Sequence, residues 1–170
     1  MALIRSVRGF TPQIAPDVFL AETAVVIGEV SIGEGSSVWY GAVVRGDVHR
    51  ITIGRQVNIQ DGAILHCTYQ QAPLWIGDRV SIGHGAIVHG CTVQERVLIG
   101  MGAKVLDHAV VPPDVIIAAG ALVLERAELE SGWLYAGLPA KKVKPLTEAQ
   151  LALLRRLPDN YVIYAGWFSE

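Results

Sequence analysis

Aliphatic side chains recur along this chain at every sixth position. The frame runs Val26, Ile32, Val38, Val44, restarts at Ile53, Ile59, Leu65, restarts again at Ile76, Ile82, Val88, and continues through Val93, Ile99, Val105, Val111, Ile117 and Val123. Sixteen aliphatics held in this frame exclude chance. Glycine often follows the aliphatic, as at Gly33, Gly54, Gly77, Gly83 and Gly100, and small or β-branched residues favour the fifth place of the hexad. A helix wants apolar residues at i, i+3, i+4 and i+7, and a half-buried strand wants strict alternation, so neither explains a period of six. A repeat this short predicts a β-solenoid. Each hexad supplies one short strand and one corner, and three hexads close a roughly triangular coil with its aliphatics turned into a shared core. Coils stack at about 4.8 Å, the spacing of neighbouring strands, and because each coil touches only its neighbours the ends need caps.

The pattern changes after Val123, where the hexads fade. A helix is predicted to begin near Pro145-Leu146-Thr147, because Thr147 followed three residues later by Gln150 forms a capping box. Leu151, Leu154 and Leu157 then make an apolar stripe suited to lie on a solenoid wall. Pro158 is predicted to stop this helix, leaving apolar Tyr161–Phe168 as a second docked helix.

Composition narrows the function classes. A length of 170 residues suits one domain over 1–170, with the solenoid over about 10–140 and the helical segment over about 145–168. Net charge is −2, from 14 Lys and Arg against 16 Asp and Glu, and no basic stripe appears, so nucleic acid is not an expected partner. Mean hydropathy is +0.38, yet the longest apolar stretch, Val115–Leu124, is about half of what a bilayer span requires. No membrane association is expected. The N-terminus lacks the basic-then-apolar layout of a secretory signal and the chain holds 2 cysteines, which together suit a cytoplasmic, reducing compartment.

Candidate chemistry centres on His66, His84 and His89. A rigid repeat dictates the direction of each side chain, so it can hold ligands in fixed geometry. His66 and His84 are 18 residues apart, three hexads, and are expected to stack on adjacent coils, with His89 on the next side. A lone histidine is ordinarily a satisfied polar residue; three on such a scaffold predict a metal centre. Zinc held by three histidines keeps a fourth position open, the arrangement of a catalytic site, and Fe2+ or Co2+ suits the same imidazoles. Cys67 and Cys91 neighbour these histidines, so a thiolate ligand or a disulfide stands beside the plainer reading of small buried side chains.

The stretches Val44-Arg45-Gly46-Asp47, Asn58-Ile59-Gln60-Asp61-Gly62, Leu65-His66 and Gly83-His84-Gly85-Ala86-Ile87-Val88-His89-Gly90-Cys91 resemble the gamma-class carbonic anhydrase family. That family belongs to the hexapeptide-repeat superfamily of left-handed parallel β-helices, and the resemblance runs from Gly9 to the C-terminal helix. It implies an all-β solenoid with a C-terminal α-helix packed along it, closed by a segment like Gly132–Ala140. It also implies a homotrimer with zinc at the subunit interfaces, His66 and His89 coming from one chain and His84 from the next, so that a monomer binds metal poorly. Arg45, Asp47, Gln60 and Asp61 match the family pattern. Arg45 is then placed between carboxylates in pairs that cross the interface, and breaking such a buried pair costs about 3–5 kcal/mol. Gln60 is implied to hydrogen-bond the attacking hydroxide or the substrate, with Asn58 and Tyr135 further out. The implied reaction is reversible hydration of CO2 to bicarbonate by a zinc-bound hydroxide.

The chain also departs from that pattern. Val48 stands where active members carry a glutamate, and the loop Cys67–Pro73 contains no carboxylate, so the resemblance implies metal binding without implying fast proton export. His49 is a candidate relay, whereas His108, after Asp107, is expected to be idle. Two other classes stay open: an acyl-CoA thioesterase or acyltransferase using histidine as a base, and a non-catalytic metal- or siderophore-binding or scaffold protein.

Overall fold

The hexad aliphatics align into three ladders. A computed structural model describes residues 1–168, and its parallel strand pairing sets Val26, Val44, Leu65, Val88, Val105 and Val123 one above another along a first wall. Ile14, Ile32, Ile53, Ile76, Val93 and Val111 form the second wall. Leu20, Val38, Ile59, Ile82, Ile99, Ile117 and Tyr135 form the third. Beyond the first rung these side chains are buried in one continuous core, and each fully buried aliphatic contributes about 1.5–3 kcal/mol. The period of six therefore becomes a β-solenoid.

The corners differ in kind. From the third wall to the first the chain turns on Gly41, Gly62, Gly85, Gly102 and Gly120, all with φ between +65° and +68°, a left-handed conformation that glycine adopts without steric cost. A buried alanine follows each of them, Ala42, Ala63, Ala86, Ala103 and Ala121. From the first wall to the second the spacing fails: Val44 to Ile53 takes nine residues, Leu65 to Ile76 eleven, and Val88 to Val93 five. All three restarts of the hexad frame fall at this one corner, which concentrates inserted and deleted residues along a single edge.

The C-terminus closes the solenoid. Trp133–Gly137 adds the last parallel rung to the third wall and pairs antiparallel with Ala140–Pro145. The helix Glu148–Gly166 follows, and its capping box forms as expected: the Thr147 N–H donates to Gln150 Oε1 at 3.0 Å and the Gln150 N–H to Thr147 Oγ1 at 3.3 Å.

Pro158 does not stop this helix. It lies inside one continuous helix, so the expected second helix over Tyr161–Phe168 does not exist as a separate element. An interior proline forfeits one backbone hydrogen bond and crowds the preceding turn, at a cost of about 3 kcal/mol. Tertiary packing offsets it. Leu154 and Pro158 are the buried residues of the helix, and Arg79 clamps both sides of the proline, donating to the Arg155 carbonyl at 2.5 Å and pairing with Asp159 at 2.9 Å. Trp39, on the third wall, meets Tyr161 edge-on with ring centroids 5.6 Å apart. Among the described residues no helix is long and apolar enough to cross a membrane.

Candidate metal centre

The irregular corner gathers polar side chains from successive coils. Arg45 and Asp47 lie on the long strand Val43–Ile53, which bends around the corner, and pair at 2.5 Å. His66 ends the strand Ile64–His66 and His89 ends Ile87–His89, and the parallel register sets one directly against the other. Their facing nitrogens, His66 Nδ1 and His89 Nε2, are 3.1 Å apart. His66 therefore stacks on His89 and not, as the 18-residue spacing suggested, on His84. The five extra residues between Leu65 and Ile76 lengthen this coil, so the residue above His66 is 23 positions on.

Each ring turns its other nitrogen to a carboxylate. His66 Nε2 is 3.0 Å from Asp47 Oδ1, and His89 Nδ1 is 2.5 Å from Asp107 Oδ1. Thr68 donates to the second oxygen of Asp107 at 2.5 Å. A connected path thus runs Arg45, Asp47, His66, His89, Asp107, Thr68. Burial by itself would raise the Asp47 carboxyl, but hydrogen bonds from Arg45 and His66 outweigh it and hold the pKa below its ordinary value. Asp107 is likewise held low against burial by Thr68 and His89. Burial lowers the pKa of His66, outweighing its hydrogen bond to Asp47, which keeps this imidazole in the neutral form that a metal requires.

The regular corner carries the rest. Asp61 and His84 sit just before the turn glycines Gly62 and Gly85 on neighbouring coils, and His84 Nδ1 is 2.8 Å from Asp61 Oδ2. Buried Asn58 donates to Ser81 Oγ at 2.8 Å and accepts from Gln60 Nε2 at 3.0 Å. That relay fixes the Gln60 amide, leaving its oxygen as the uncommitted end, and Gln60 and His84 share a cleft of about 330 Å³ beneath the helix.

One chain does not unite these groups. His84 lies in the turn at one edge of the first wall, beside left-handed Gly85, and His89 ends the strand Ile87–His89 at the other edge. Among the described residues, no three His, Cys, Asp or Glu side chains gather where a metal could sit. Arg45 and Asp47 likewise occupy the irregular corner while Gln60 and Asp61 occupy the regular one. Tyr135 belongs to neither: it is the last rung of the core, four rungs above Ile59, and its hydroxyl accepts the Glu130 N–H at 2.8 Å. Both cysteines are free and buried. Burial pushes the Cys67 thiol up to about 12 and raises that of Cys91 further, which disfavours a thiolate ligand.

The residues present fit a divalent metal. Two imidazole nitrogens converge, and each ring is anchored through its far nitrogen by a carboxylate, the outer-shell arrangement typical of metal-bound histidine. His84 has the same kind of anchor in Asp61. The sequence reading missed Asp107 and Thr68. Regular spacing hides Asp107: Val88 to Val93 takes five residues, so Val88 pairs with Val105, 17 positions on, and Asp107 stacks on Gly90, one place past His89.

No protein-family model matches the chain. Curated relatives do. Protein YrdA of Escherichia coli is 44% identical over 166 residues, covering 94% of this chain and 90% of that protein. A carbonic anhydrase of Geobacillus kaustophilus is 41% identical over 94% of this chain and 87% of its own length. Mitochondrial gamma carbonic anhydrase 2 of Arabidopsis thaliana is 42% identical over 89% of this chain. The chain spans about half the length of that plant relative, 56%. Among solved structures, a Bacillus cereus protein bearing an acetyltransferase name superposes with a TM-score of 0.95 at 36% identity, covering 98% of this chain and 96% of the other. A hexapeptide transferase family protein of Anaplasma phagocytophilum gives 0.94 at 36%, with 98% of each chain covered. The fold is thus the left-handed β-helix of hexapeptide-repeat proteins. Within that superfamily, the chain belongs to the gamma-class carbonic anhydrase-like family.

Proposed function

We propose that this chain assembles into a trimer that binds a divalent metal between subunits and catalyses reversible hydration of CO2. The observation that carries this reading is the division of three anchored histidines between the two edges of one wall. His66 and His89 converge at one edge, and His84, set on Asp61, stands at the other. A face with complementary halves on opposite edges joins head to tail, and such heterologous contacts make a ring when the rotation between subunits closes. The outward ladder between those edges is apolar, Val25, Val43, Ile64 and Ile87, with Ile64 42% exposed. Zinc is the expected metal, with iron(II) or cobalt(II) suited to the same ligands. The two free thiols suit a cytoplasmic, reducing setting.

Bound there, the metal supplies Lewis acidity that brings water toward a pKa of about 7. The chain's own groups do the rest. Gln60, tethered through Asn58 to Ser81, presents its amide oxygen beside His84 and orients the reacting water or CO2. Asp47 and Asp61 hold the rings of His66 and His84, and Arg45 balances the charge of Asp47. Across the closed interface Arg45 also comes within reach of the neighbouring chain's acidic edge. Half-buried Val48 packs against the core and supplies no proton carrier, so turnover is slow relative to metal occupancy.

Complementation tests this reading. His66→Ala and His84→Ala chains each lose metal as homotrimers, whereas co-assembled mixtures regain part of it, because an interface pairing the two variants holds all three histidines. His108→Ala retains metal throughout. Stopped-flow CO2 hydration on anaerobically purified protein should follow metal content. Mixtures that stay metal-free would sink the shared site, and full metal without hydration would redirect the same centre to another substrate, thioesters first. A second reading, acyl transfer, draws on the name of the Bacillus cereus neighbour; the paired, carboxylate-anchored His66 and His89 favour ligation over general-base work.

A further inference from the structure

We infer that Asp107, held by Thr68, is the positioning residue of His89: it fixes the ring through Nδ1 and leaves Nε2 as the nitrogen turned toward His66. The inference rests on the metal centre proposed above and specifies how that centre is built.

His89 Nδ1 lies 2.5 Å from Asp107 Oδ1, and the same ring's Nε2 lies 3.1 Å from His66 Nδ1. A carboxylate on one edge of the ring thus sets which edge faces the neighbouring histidine, the part an outer-shell partner plays for a metal-bound imidazole.

Three features converge on Asp107. The parallel register, Val88 against Val105, sets Asp107 directly above Gly90, one residue beyond the position over His89. The insertion after His66 supplies Thr68, whose hydroxyl donates to Asp107 Oδ2 at 2.5 Å from a coil two levels below, so the inserted loop props the carboxylate from beneath. Gly90 leaves the space: its φ is +49°, and a Cβ there would meet Asp107 Oδ1 at 2.5 Å and Ala72 Cβ at 2.7 Å. Any side chain at position 90 displaces the carboxylate or the loop.

The test is zinc affinity of the full-length protein, measured by competition with a chromophoric chelator, with assembly state followed by sedimentation. Asp107→Ala should weaken zinc binding by about 10–100-fold, the usual effect of losing an outer-shell partner. Asp107→Asn should lose less, since its amide oxygen still accepts from Nδ1–H. Thr68→Val and Gly90→Ala, which keep the carboxylate, should fall between wild type and Asp107→Ala, and they carry the test if Asp107→Ala fails to fold. In the zinc-loaded protein labelled with 15N-histidine, ring resonances should report His89 bound through Nε2. Wild-type affinity in both Asp107→Ala and Thr68→Val, or His89 bound through Nδ1, overturns the inference. His84→Ala separates the two levels: if it binds zinc as the wild type does, the shared centre itself fails, whereas loss in His84→Ala with no loss in Asp107→Ala removes only the role of Asp107.

Discussion

The two corners that border the first wall are made from the same repeat and do different work. At the regular corner the turns from Gly41 to Gly120 share the same left-handed glycine and buried alanine, and Asp61 meets His84 of the next coil. At the irregular corner three successive coils break the six-residue spacing, and side chains from four coils form one path from Arg45 to Thr68. A strict solenoid displays side chains in columns of neighbours. Departures from the repeat let groups on non-adjacent coils touch, and here they do so where two imidazoles converge.

That contrast can be broken most severely from the core. Leu65, fully buried between Val44 and Val88, packs in the wall that joins both corners, and Leu65→Ala should cost about 2–5 kcal/mol in urea unfolding. On the same strand, outward Ile64→Ala should leave the unfolding free energy of the isolated chain within about 0.5 kcal/mol, as surface changes do, while weakening self-association. Equal effects of the two would deny that the outer face of this wall is a contact surface.

A smaller loss is expected at the regular corner, where Gly85 has φ +65° and no atom within 4 Å of an added Cβ. Gly85→Ala should cost about 1–2 kcal/mol from left-handed backbone strain alone, seen as a lowered Tm. Smaller still is Arg45→Met in the dissociated chain, because the pair with Asp47 is partly exposed, with Arg45 at 41%, and such pairs contribute about 0–1 kcal/mol. If assembly buries this arginine between carboxylates, the same change should cost about 3–5 kcal/mol in the trimer. Matching losses in the two states argue against burial at an interface.

The least change is expected from thiol reagents. With its pKa raised by burial to about 12, Cys67 is thiolate in only about one molecule in ten thousand at pH 8, so iodoacetamide should label neither cysteine until the chain unfolds. Rapid labelling at pH 8 would mean that the irregular corner opens in the native state.

Much of this was legible in the chain. The solenoid, its three-hexad coil and the capping box at Thr147 follow from local spacing, because each hexad places its aliphatic without reference to distant residues. The site was legible as residue types and less so as geometry. His66, His84 and His89 were singled out, but the partner of His66 was misassigned, since a spacing of 18 holds only where no insertion intervenes. Pro158 reads as a helix stop on local propensity and is overridden by burial against the wall and by Arg79. Tyr135 was placed near the reacting groups, whereas register makes it the last plug of the core.

The sequence by itself determined the repeat, the inward ladders and the set of histidines, because periodicity is a property of neighbours along the chain. Only the tertiary structure decided which histidines face each other, that Asp107 and Thr68 join them, and that His84 stands a wall's width away. Those contacts depend on how many residues each coil takes to turn a corner, and that count becomes visible as position only when the coils are stacked.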